Sequence, residues 1–321
     1  MVWGGLAYSV AMLFADKWWV LETLSNGRML VLLVVLLGTA LSLIAFAPLR
    51  MITGLIVAAW LGWPALPYYG IGKQAIFGQS EHDTGNISPA STISVMCFNI
   101  GRENIPLPGL VTKLQSTPRH ELPDFILLIE ARTAGYRDHF NALREIYPYH
   151  IADPREDNFG IWLMSKHPIT KKRSVSRSDR TPIGEIPLID ADISMNGQTI
   201  RIFGAHPIPP ISKDAAISRS NYLSLIEARL AENTSPTILM GDLNCTTWSP
   251  QFDKLSTLRS AAYGYGLHLT WKPFAIVPLL GLPIDHILLS KELRVEDFST
   301  GRAAGSDHRP LNAKISLPGT Q

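Results

Sequence analysis

The chain has 321 residues, of which 46% are hydrophobic and 17% are charged, and its formal net charge is +2. This length suffices for one large domain with an appendage, and the hydrophobic excess is concentrated in the first 72 residues. The first 77 residues carry four of the 29 Lys and Arg and two of the 27 Asp and Glu side chains, so the remainder of the chain is electrically neutral. This balance argues against a domain that grips duplex DNA through bulk electrostatic attraction.

The N-terminal part contains three stretches without a charged side chain: 1–15, 29–49 and 51–72. A helix of about 20 apolar residues crosses a bilayer, and the stretch 29–49 meets this requirement without a break. Pro64 and Pro67 are expected to kink or end the helix of the third stretch. A cleaved signal peptide is the alternative, but the chain lacks a basic start and its strongest apolar run begins too late. We therefore predict a membrane anchor over 1–72 with two or three transmembrane helices, three being favoured.

Basic residues near the ends of these helices are too few to fix the orientation by the positive-inside rule. Three helices that start in the cytoplasm would place the remainder of the chain outside it, so we expect a multi-pass membrane protein with an extracytoplasmic domain. Residues 73–91 are polar and rich in Gly, Ser and Pro, which indicates a linker. One domain is expected to follow over 92–317. No pattern in the chain indicates an oligomeric state.

Strand-like runs recur through this domain, over 92–99, 125–130, 159–165, 186–195, 199–206, 237–244, 284–290 and 311–317. Between some of them the apolar residues follow a helical spacing, over 136–147 and 222–230. Asn196-Gly197 is a dipeptide typical of a tight hairpin turn. These elements predict an α/β fold in which two mixed β-sheets pack together and helices flank them.

Polar side chains stand where several of these strands end or begin. The most informative group is Gly241-Asp242-Leu243-Asn244, which places a carboxylate and an amide two residues apart after an apolar run. That spacing directs both side chains to the same side of a strand, and such a pair suits a divalent cation or a phosphate with its attacking water. Further candidates of the same kind are Asn99, Glu130, His206, Asp285, Asp307 and His308.

Each of these residues taken alone is more often a turn or surface residue than a functional one. If the strand ends converge, however, the set supplies the carboxylates, imidazoles and amides that metal-assisted hydrolysis of a phosphate ester requires. His286 is interpreted as a structural strand residue, with a substrate contact as the alternative. Trp248 and Trp271 are expected to pack in the core or a loop, the alternative being a stacking surface for a base or a lipid.

In this order the motifs resemble those of the endonuclease/exonuclease/phosphatase family, the superfamily of DNase I, abasic-site endonucleases, neutral sphingomyelinases and inositol-polyphosphate 5-phosphatases. The resemblance covers roughly residues 92–317 and rests on Cys97-Phe98-Asn99, Ile129-Glu130, Ala205-His206-Pro207, Gly241-Asp242-Leu243-Asn244, Ile284-Asp285-His286 and Ser306-Asp307-His308. The likeness is strongest to the subgroup with a short multi-helix membrane anchor ahead of the domain. It implies a four-layer α/β sandwich with the site at one end of the two sheets.

The resemblance also implies a metal site. Glu130 would bind Mg²⁺, or Mn²⁺ in its place, with Asn99 and Asp307 near it. Mg²⁺ takes few carboxylates and keeps several waters, which suits one Glu with Asp and Asn neighbours.

The remaining candidates would be catalytic. His308 would act as the base or polarise the attacking water, with Asp285 holding its ring in the required tautomer. Asp242 and Asn244 would orient the water and bind the phosphate. His206 would stabilise the phosphate charge or protonate the leaving oxygen.

These residues predict a membrane-anchored, Mg²⁺-dependent hydrolase of phosphate esters, foremost a phosphodiesterase that acts as an endonuclease. The alternative is a phosphoesterase for lipids or small molecules, such as a sphingomyelinase-like enzyme or a phosphatase, because an anchor would hold the site near lipid head groups. The expected partners are accordingly a nucleic acid or a lipid head group, and the membrane itself. A catalytically silent, membrane-bound binding module ranks last, since every expected catalytic residue type is present.

Overall fold

The computed structural model describes residues 1–72, 92–101, 103, 105–177, 185–195, 197–272 and 280–318. The predicted linker 73–91 and Asn196 of the predicted hairpin turn lie outside the described residues. The first 72 residues form helices α1 (Val2–Met12), α2 (Trp19–Ser25), α3 (Arg28–Ile44) and α4 (Pro48–Gly62), and α4 continues into a 3-10 helix, Trp63–Tyr69.

Helices α1, α3 and α4 pack against one another through small residues. A methyl group added to Gly54 of α4 would lie 2.1 Å from Thr39 Oγ1 of α3, and one added to Gly5 of α1 would lie 2.2 Å from Cγ2 of Val35. Small residues let helix backbones approach closely, as is typical of helix packing in membranes. The outward faces of these helices carry many exposed large apolar side chains.

One continuous helix, Pro48–Tyr69, is long and apolar enough to cross a membrane, and 28% of its most apolar stretch is buried. A second candidate is the pair Trp19–Ser25 and Arg28–Ile44, which bends by 64° at its break, whereas Val2–Met12 is shorter than a span. By length and composition the described helices therefore supply one span, or two if the bent pair counts as one. The expectation of three spans stays a prediction.

The described part of the domain forms twelve strands: β1 (Thr92–Asn99), β2 (Phe125–Ile129), β3 (Tyr149–Asp153), β4 (Ile161–Ser165), β5 (Ile169–Arg177), β6 (Pro187–Met195), β7 (Gln198–Ala205), β8 (Thr237–Asp242), β9 (Arg259–Ser260), β10 (Asp285–Leu289), β11 (Arg294–Thr300) and β12 (Leu311–Ser316). Its helices are α5 (Leu107–Ser116), α6 (Tyr136–Leu143), α7 (Lys213–Ala231) and a 3-10 helix, Pro250–Leu255. The first sheet has the order β11-β12-β1-β2-β4-β3, and the second has the order β5-β6-β7-β8-β10-β9.

Each sheet is mixed, with one parallel pair near its centre. β1 and β2 are parallel in the first sheet, and β7 and β8 are parallel in the second. Apolar side chains of both sheets share one buried core, which includes Val95, Leu127, Ile202 and Met240. Two further apolar clusters lie on the outer faces, one beneath α5 and α6 and one beneath α7. The prediction of two packed mixed sheets flanked by helices is confirmed.

The eight predicted strands are all present, with ends within two residues of those expected. The strands that the sequence did not indicate are β3, β5, β9 and β11, which are the four edge strands of the two sheets. An edge strand is paired on one side only, so it carries fewer apolar side chains than a central strand, and its pattern is weaker. The helix α5 was also not predicted. It is short and buries only Leu107, Val111 and Leu114, so its apolar pattern in the sequence is weak.

Candidate active site

Strand pairing brings the predicted residues to one end of the two sheets. Parallel strands end at a common edge, so Asn99 at the end of β1 lies beside Glu130 after β2, and His206 after β7 lies beside Asp242 at the end of β8. β10 runs antiparallel to β8 and begins at this same edge, where Asp285 is paired directly with Asp242. The central strands of both sheets thus deliver their polar ends to one place.

The segment before β12 completes the set. β12 is antiparallel to β1 and therefore begins where β1 ends. Ser306 fixes this segment, because its Oγ donates to the Asn99 carbonyl at 2.9 Å and accepts from the His308 backbone N–H at 3.0 Å. Asp307 and His308 are held in this way at the mouth of the sheets.

Gly241 is required by the close approach of β7 and β8. A Cβ at this position would lie 1.9 Å from the carbonyl oxygen of Ala205, its direct partner in β7. No residue with a side chain fits there unless the strands separate. The glycine of the motif therefore serves the fold and keeps His206 and Asp242, the next residues of the two strands, side by side.

Asp242 is the centre of the polar cluster. Its Oδ1 accepts from the Asn244 backbone N–H at 2.9 Å, and its Oδ2 accepts from Asn99 Nδ2 at 3.1 Å. The same Oδ2 lies 3.6 Å from His308 Nε2 and 3.8 Å from His206 Nε2. Burial raises the pKa of Asp242 to about 6, with the neighbouring carboxylate of Asp285 acting in the same direction. A carboxylate in this state exchanges a proton near neutral pH.

His308 and Asp285 form a buried pair. His308 Nδ1 and Asp285 Oδ2 are 2.8 Å apart, which fixes the ring and directs Nε2 towards Asp242. Burial alone lowers the pKa of His308, but the carboxylates of Asp285 and Asp242 outweigh it and raise the pKa to about 10. Both carboxylates thus favour the charged form of the ring, and His308 Nε2 faces Asp242 in the cleft.

Glu130 lies against Asn99, whose Nδ2 donates to Glu130 Oε1 at 3.0 Å and also to Asp242. Burial raises the pKa of Glu130, and the nearby charges of Asp307 and Asp285 add to this against the opposing effects of Asn99 and His308. Glu130 and Asn244 both have a left-handed backbone, with φ of 62° and 50°. Non-glycine residues in this conformation are uncommon, and they cluster at functional sites.

The amide of Asn99 is held from both ends by the protein. Besides the two bonds from Nδ2, its Oδ1 accepts from the Gly101 backbone N–H at 3.0 Å. In this arrangement Asn99 orients the carboxylates of Glu130 and Asp242. Its Oδ1 keeps a second lone pair, so its place beside a metal stays a prediction.

His206 is buried on the far side of Asp242. Burial lowers its pKa, and the Asp242 carboxylate opposes this shift. Its ring packs on Phe159 with the centroids 5.6 Å apart. A neutral imidazole held beside a carboxylate can donate a hydrogen bond to a phosphate oxygen or to a leaving group.

The donor set fits a hard divalent cation. Glu130, Asp242, Asp285 and Asp307 crowd several carboxylates into a small volume, and Asp285 Oδ1 is buried without a hydrogen-bond partner among the described residues. Asp242, Asp285 and His308 offer ligand atoms within 4.8 Å of one another. Because Asp285 and His308 are already hydrogen-bonded to each other, the carboxylates of Glu130 and Asp307 are the better donors to a cation of the Mg²⁺ type.

A cleft of about 720 Å³ opens over this cluster. Six of the eight predicted site residues line it: Glu130, His206, Asp242, Asn244, Asp307 and His308. Asn99 and Asp285 lie behind them and hold them in place. The wall of the cleft includes residues that the sequence did not indicate: Asp157, Asn158, Phe159, 208–211, Leu282 and, from the N-terminal helices, Thr23 and Asn26.

Asp157 to Phe159 could have been found from the sequence, since they stand directly before the buried strand β4. Thr23 and Asn26 gave no such indication, because they lie in and directly after α2, more than a hundred positions before the other cleft residues.

Two of the open alternatives are resolved by position. Trp271 lines the cleft and its Nε1 donates to Asp307 Oδ2 at 2.8 Å, whereas Trp248 is buried in the core. His286 points away from the cleft and its Nε2 hydrogen-bonds to the Cys245 carbonyl at 2.8 Å, as a structural residue would. Cys97 and Cys245 are both free and buried.

Comparison with known proteins agrees with this architecture. Crystal structures with the same fold include D. rerio TDP2 complexed with single strand DNA product, with a TM-score of 0.58 and 16% identity over 71% of this chain and 100% of that one. C. elegans TDP2 in truncated form gives a TM-score of 0.56 and 16% identity over 70% and 98% of the two chains. A family protein from Bacteroides thetaiotaomicron gives 0.53 and 19% over 72% and 99%. At these identities the likeness shows the shared fold.

No curated protein sequence matches the chain. The family model described as Endonuclease/Exonuclease/phosphatase family matches residues 96–308. This range begins in β1 and ends at His308, and it encloses every candidate residue of the cleft. The chain belongs to the endonuclease/exonuclease/phosphatase family.

Proposed function

We propose that this protein is a membrane-anchored phosphodiesterase that depends on a divalent cation and attacks its substrate with water. The observation that carries the proposal is the arrangement of Asp242, His308 and Asp285 opposite Glu130 in one cleft. Family membership makes the chain a phosphoester hydrolase, and the finer features proposed here are the metal, the anchor and the substrate.

The cation would be Mg²⁺, with Mn²⁺ as a substitute, held by Glu130 and Asp307 beside Asn99. When bound, it would neutralise the charge of the phosphate and stabilise the charge that develops during in-line attack. The crowding of carboxylates at this place favours such a cation, because the protein supplies few positive charges of its own within the cluster.

The pKa values of the two central groups divide the acid and base roles. Asp242 has a pKa raised to about 6 and therefore takes up a proton from water under mild conditions. His308, whose pKa is raised to about 10, remains charged and stabilises the phosphate oxygens. In this proposal Asp242 is the base and His308 is a charged group that stabilises the phosphate oxygens, whereas the sequence suggested His308 as the base or as the group that polarises the attacking water.

The two remaining candidates, Asn244 and His206, position neighbouring groups and donate hydrogen bonds. Asn244 Nδ2 bonds to the Pro207 carbonyl at 2.9 Å and its backbone N–H bonds to Asp242, so it ties the two segments that border the phosphate position. His206 Nε2 lies 3.8 Å from Asp242 Oδ2 and is placed to donate to a phosphate or leaving-group oxygen.

The anchor is proposed from the surface of the N-terminal helices. Phe46 between α3 and α4 is 92% exposed, and Ile44 and Leu43 are 73% and 62% exposed. Large apolar side chains around a whole helix bundle are stable in lipid and unfavourable in water. This surface supports the proposal that residues 1–72 are a multi-pass membrane anchor. That the domain 92–317 lies outside the cytoplasm is part of the proposal and comes from the sequence alone.

Two substrate classes follow from different observations. A nucleic acid strand is the first candidate, as expected from the sequence, and the structurally similar D. rerio TDP2 was crystallised with a single strand DNA product. A phospholipid is the second, because the cleft wall includes Ile208 and Ile211, the latter 80% exposed, together with Thr23 and Asn26 of the anchor. An apolar rim next to a membrane segment suits a substrate with acyl chains.

The test uses the purified full chain in detergent micelles. Supercoiled plasmid, single-stranded DNA, sphingomyelin vesicles and bis(p-nitrophenyl) phosphate are each incubated with Mg²⁺, with Mn²⁺ and with EDTA. We expect metal-dependent hydrolysis of the small phosphodiester and of one natural class, and its loss in Glu130→Ala. Hydrolysis that persists in EDTA would remove the metal from the proposal, and a folded protein inactive on all four substrates would remove the enzyme.

A further inference from the structure

The anchor and the domain are joined by buried polar contacts that the proposed hydrolysis does not use. Glu22 of α2 is 3% exposed, and its carboxylate forms an ion pair with Arg219 of α7, which is 0% exposed. The other oxygen of Glu22 accepts from Ser249 Oγ at 2.6 Å. A carboxylate from a membrane-side helix is therefore enclosed within the domain.

Arg219 connects Glu22 to a residue of the cleft. Its Nη2 bonds to Glu22, and its Nη1 donates to the backbone carbonyl of Asn244 at 2.6 Å. Among the described residues Glu22 is the only carboxylate paired with Arg219. The guanidinium is a planar group with a fixed arrangement of donors, so holding one edge on Glu22 fixes where the other edge places the Asn244 carbonyl.

Asn244 is held from two sides. Its backbone has a φ of 50°, in the left-handed region that asparagine adopts more readily than most residues. From the cleft side it is held by Asp242, and from the outer side by Arg219. The two bonds together set the distance between Asn244 and the proposed base.

The anchor also forms hydrogen bonds with the residues that follow Asn244 in the chain. Asn26 Oδ1 accepts from the backbone N–H of Thr246 at 2.8 Å and from its hydroxyl at 3.0 Å, and the Asn26 carbonyl accepts from Trp248 Nε1 at 3.3 Å. The segment 244–249 thus runs between the catalytic cluster and α2, with anchor contacts along its length.

We propose that Glu22 is a positioning residue of the active site, which acts through Arg219 on Asn244 and so makes the anchor part of the catalytic unit. The proposal rests on the proposed function, since Asn244 borders the phosphate position. It predicts that a change in the anchor, far from any reacting atom, lowers the rate of the chemical step. If the anchor contact only docks the anchor on the domain, the same change should lower the stability of the protein without changing the rate.

The test uses three variants: Glu22→Gln, Arg219→Lys and the double variant that combines these two changes. Tyr68→Phe is the variant with which they are compared. Tyr68 is the matched control, because it also joins the anchor to this segment, through Tyr68 OH and Thr247 Oγ1 at 3.0 Å, but has no bond to Arg219. Activity is measured on bis(p-nitrophenyl) phosphate with Mg²⁺ in detergent, at a temperature well below each unfolding midpoint. Glu22→Asp, which keeps the charge, serves as the conservative variant.

We expect Glu22→Gln and Arg219→Lys each to lower kcat by about 100-fold with KM little changed, as small misplacements in a site do. The double variant should be no slower than either single one, because both break the same connection. Glu22→Asp should be intermediate, and Tyr68→Phe should keep the wild-type kcat.

Hydrogen exchange of the peptide 243–249 supplies a readout that needs no turnover. We expect faster exchange in Glu22→Gln than in Tyr68→Phe, whether or not the substrate has been identified. Equal exchange and equal kcat in these two variants would overturn the positioning role while leaving the proposed function intact. An inactive wild type with faster exchange in Glu22→Gln would count against the proposed function alone.

Discussion

At the scale of single residues, the cleft depends on Asp242, which four neighbours contact from four directions. Asn99 and Asn244 donate to it, and His206 and His308 face it at 3.8 and 3.6 Å. Donors on both oxygens stabilise the charged form, while burial and Asp285 oppose it. The balance leaves a group that can take up a proton near neutral pH, as a general base must.

Asp242→Asn is therefore expected to lower kcat by about 1000-fold, within the range that loss of a general base produces. The asparagine keeps the size of the side chain, so the fold should be retained. Circular dichroism and steady-state hydrolysis of bis(p-nitrophenyl) phosphate measure the two effects. Asp297→Asn on the exposed edge strand β11 is the control and should behave as the wild type. A folded Asp242→Asn variant with near-normal kcat would show that another group removes the proton.

The identity of the candidate residues was readable from the sequence, whereas their division of labour was not. The order and spacing of the motifs are sufficient to single out Glu130, Asp242 and His308. The protonation of His308 depends on Asp242 and Asp285 together, and these lie 66 and 23 positions away in the chain. Only the folded arrangement shows how many carboxylates face one imidazole.

At the scale of elements, Gly241 shows how a motif can serve the fold and the site at once. Replacement by alanine would place a methyl group 1.9 Å from the Ala205 carbonyl, in the parallel pair that carries His206 and Asp242. We expect Gly241→Ala to separate β7 from β8 and to cost several kcal/mol, as overpacking of a dense core does. Denaturant unfolding measures the loss.

The control for this variant is Gly109→Ala in α5, where an added Cβ meets nothing within 4 Å. Alanine is favoured over glycine in a helix by about 0.5–1 kcal/mol, so Gly109→Ala should be neutral or stabilising. Equal stability of the two variants would contradict the close approach at Gly241.

β10 carries a second testable feature in His286. Burial lowers the pKa of His286 to about 4, against the opposing effects of the hydrogen bond to the Cys245 carbonyl and of the Asp285 carboxylate. The unfolded chain binds the proton near pH 6.5, so the stability that His286 contributes is present above that pH and is lost as the pH falls from 6.5 towards 4. The full loss is about 3 kcal/mol.

His286→Gln cannot take up this proton, so it should remove that part of the pH dependence. Chemical denaturation at pH 7, 5.5 and 4.5 compares the two proteins. Parallel curves for wild type and His286→Gln would show that the histidine is not held neutral.

The elements that the sequence predicted and those it missed differ in their surroundings. Central strands such as β2 and β8 are buried on both faces, and their unbroken apolar runs are visible in the sequence. β5 and β11 lie at sheet edges and alternate irregularly, with register shifts in their pairing. What fixes such strands is the neighbour to which they add, which is information from the rest of the fold.

At the scale of the whole molecule, the unpredicted feature is the union of anchor and domain. Glu22 and Asn26 read as polar residues of a short connection, and their partners Arg219 and Thr246 lie about two hundred positions later. Tyr68 likewise enters the core shared by the two sheets. The N-terminal helices and the domain thus share buried contacts that the sequence did not indicate.

The path of the chain makes the orientation of the anchor testable. α2 and the 3-10 helix Trp63–Tyr69 both contact the domain, so the ends of α3 and α4 that adjoin them would lie on its side of the membrane if these helices span it. Phe46, between the opposite ends of these helices, is then on the other side. The domain and Phe46 should be exposed to different compartments if the helices span.

Ile211→Cys at the cleft rim and Phe46→Cys test this with a membrane-impermeant maleimide. Both positions are highly exposed, at 80% and 92%, while the native Cys97 and Cys245 are buried and should remain unlabelled. We expect Ile211→Cys to be labelled in intact cells and Phe46→Cys only after lysis. The reverse pattern would place the domain in the cytoplasm. Labelling of both positions in intact cells would mean that α3 and α4 do not cross the bilayer, because a hairpin that spans it must separate its tip from the domain it supports.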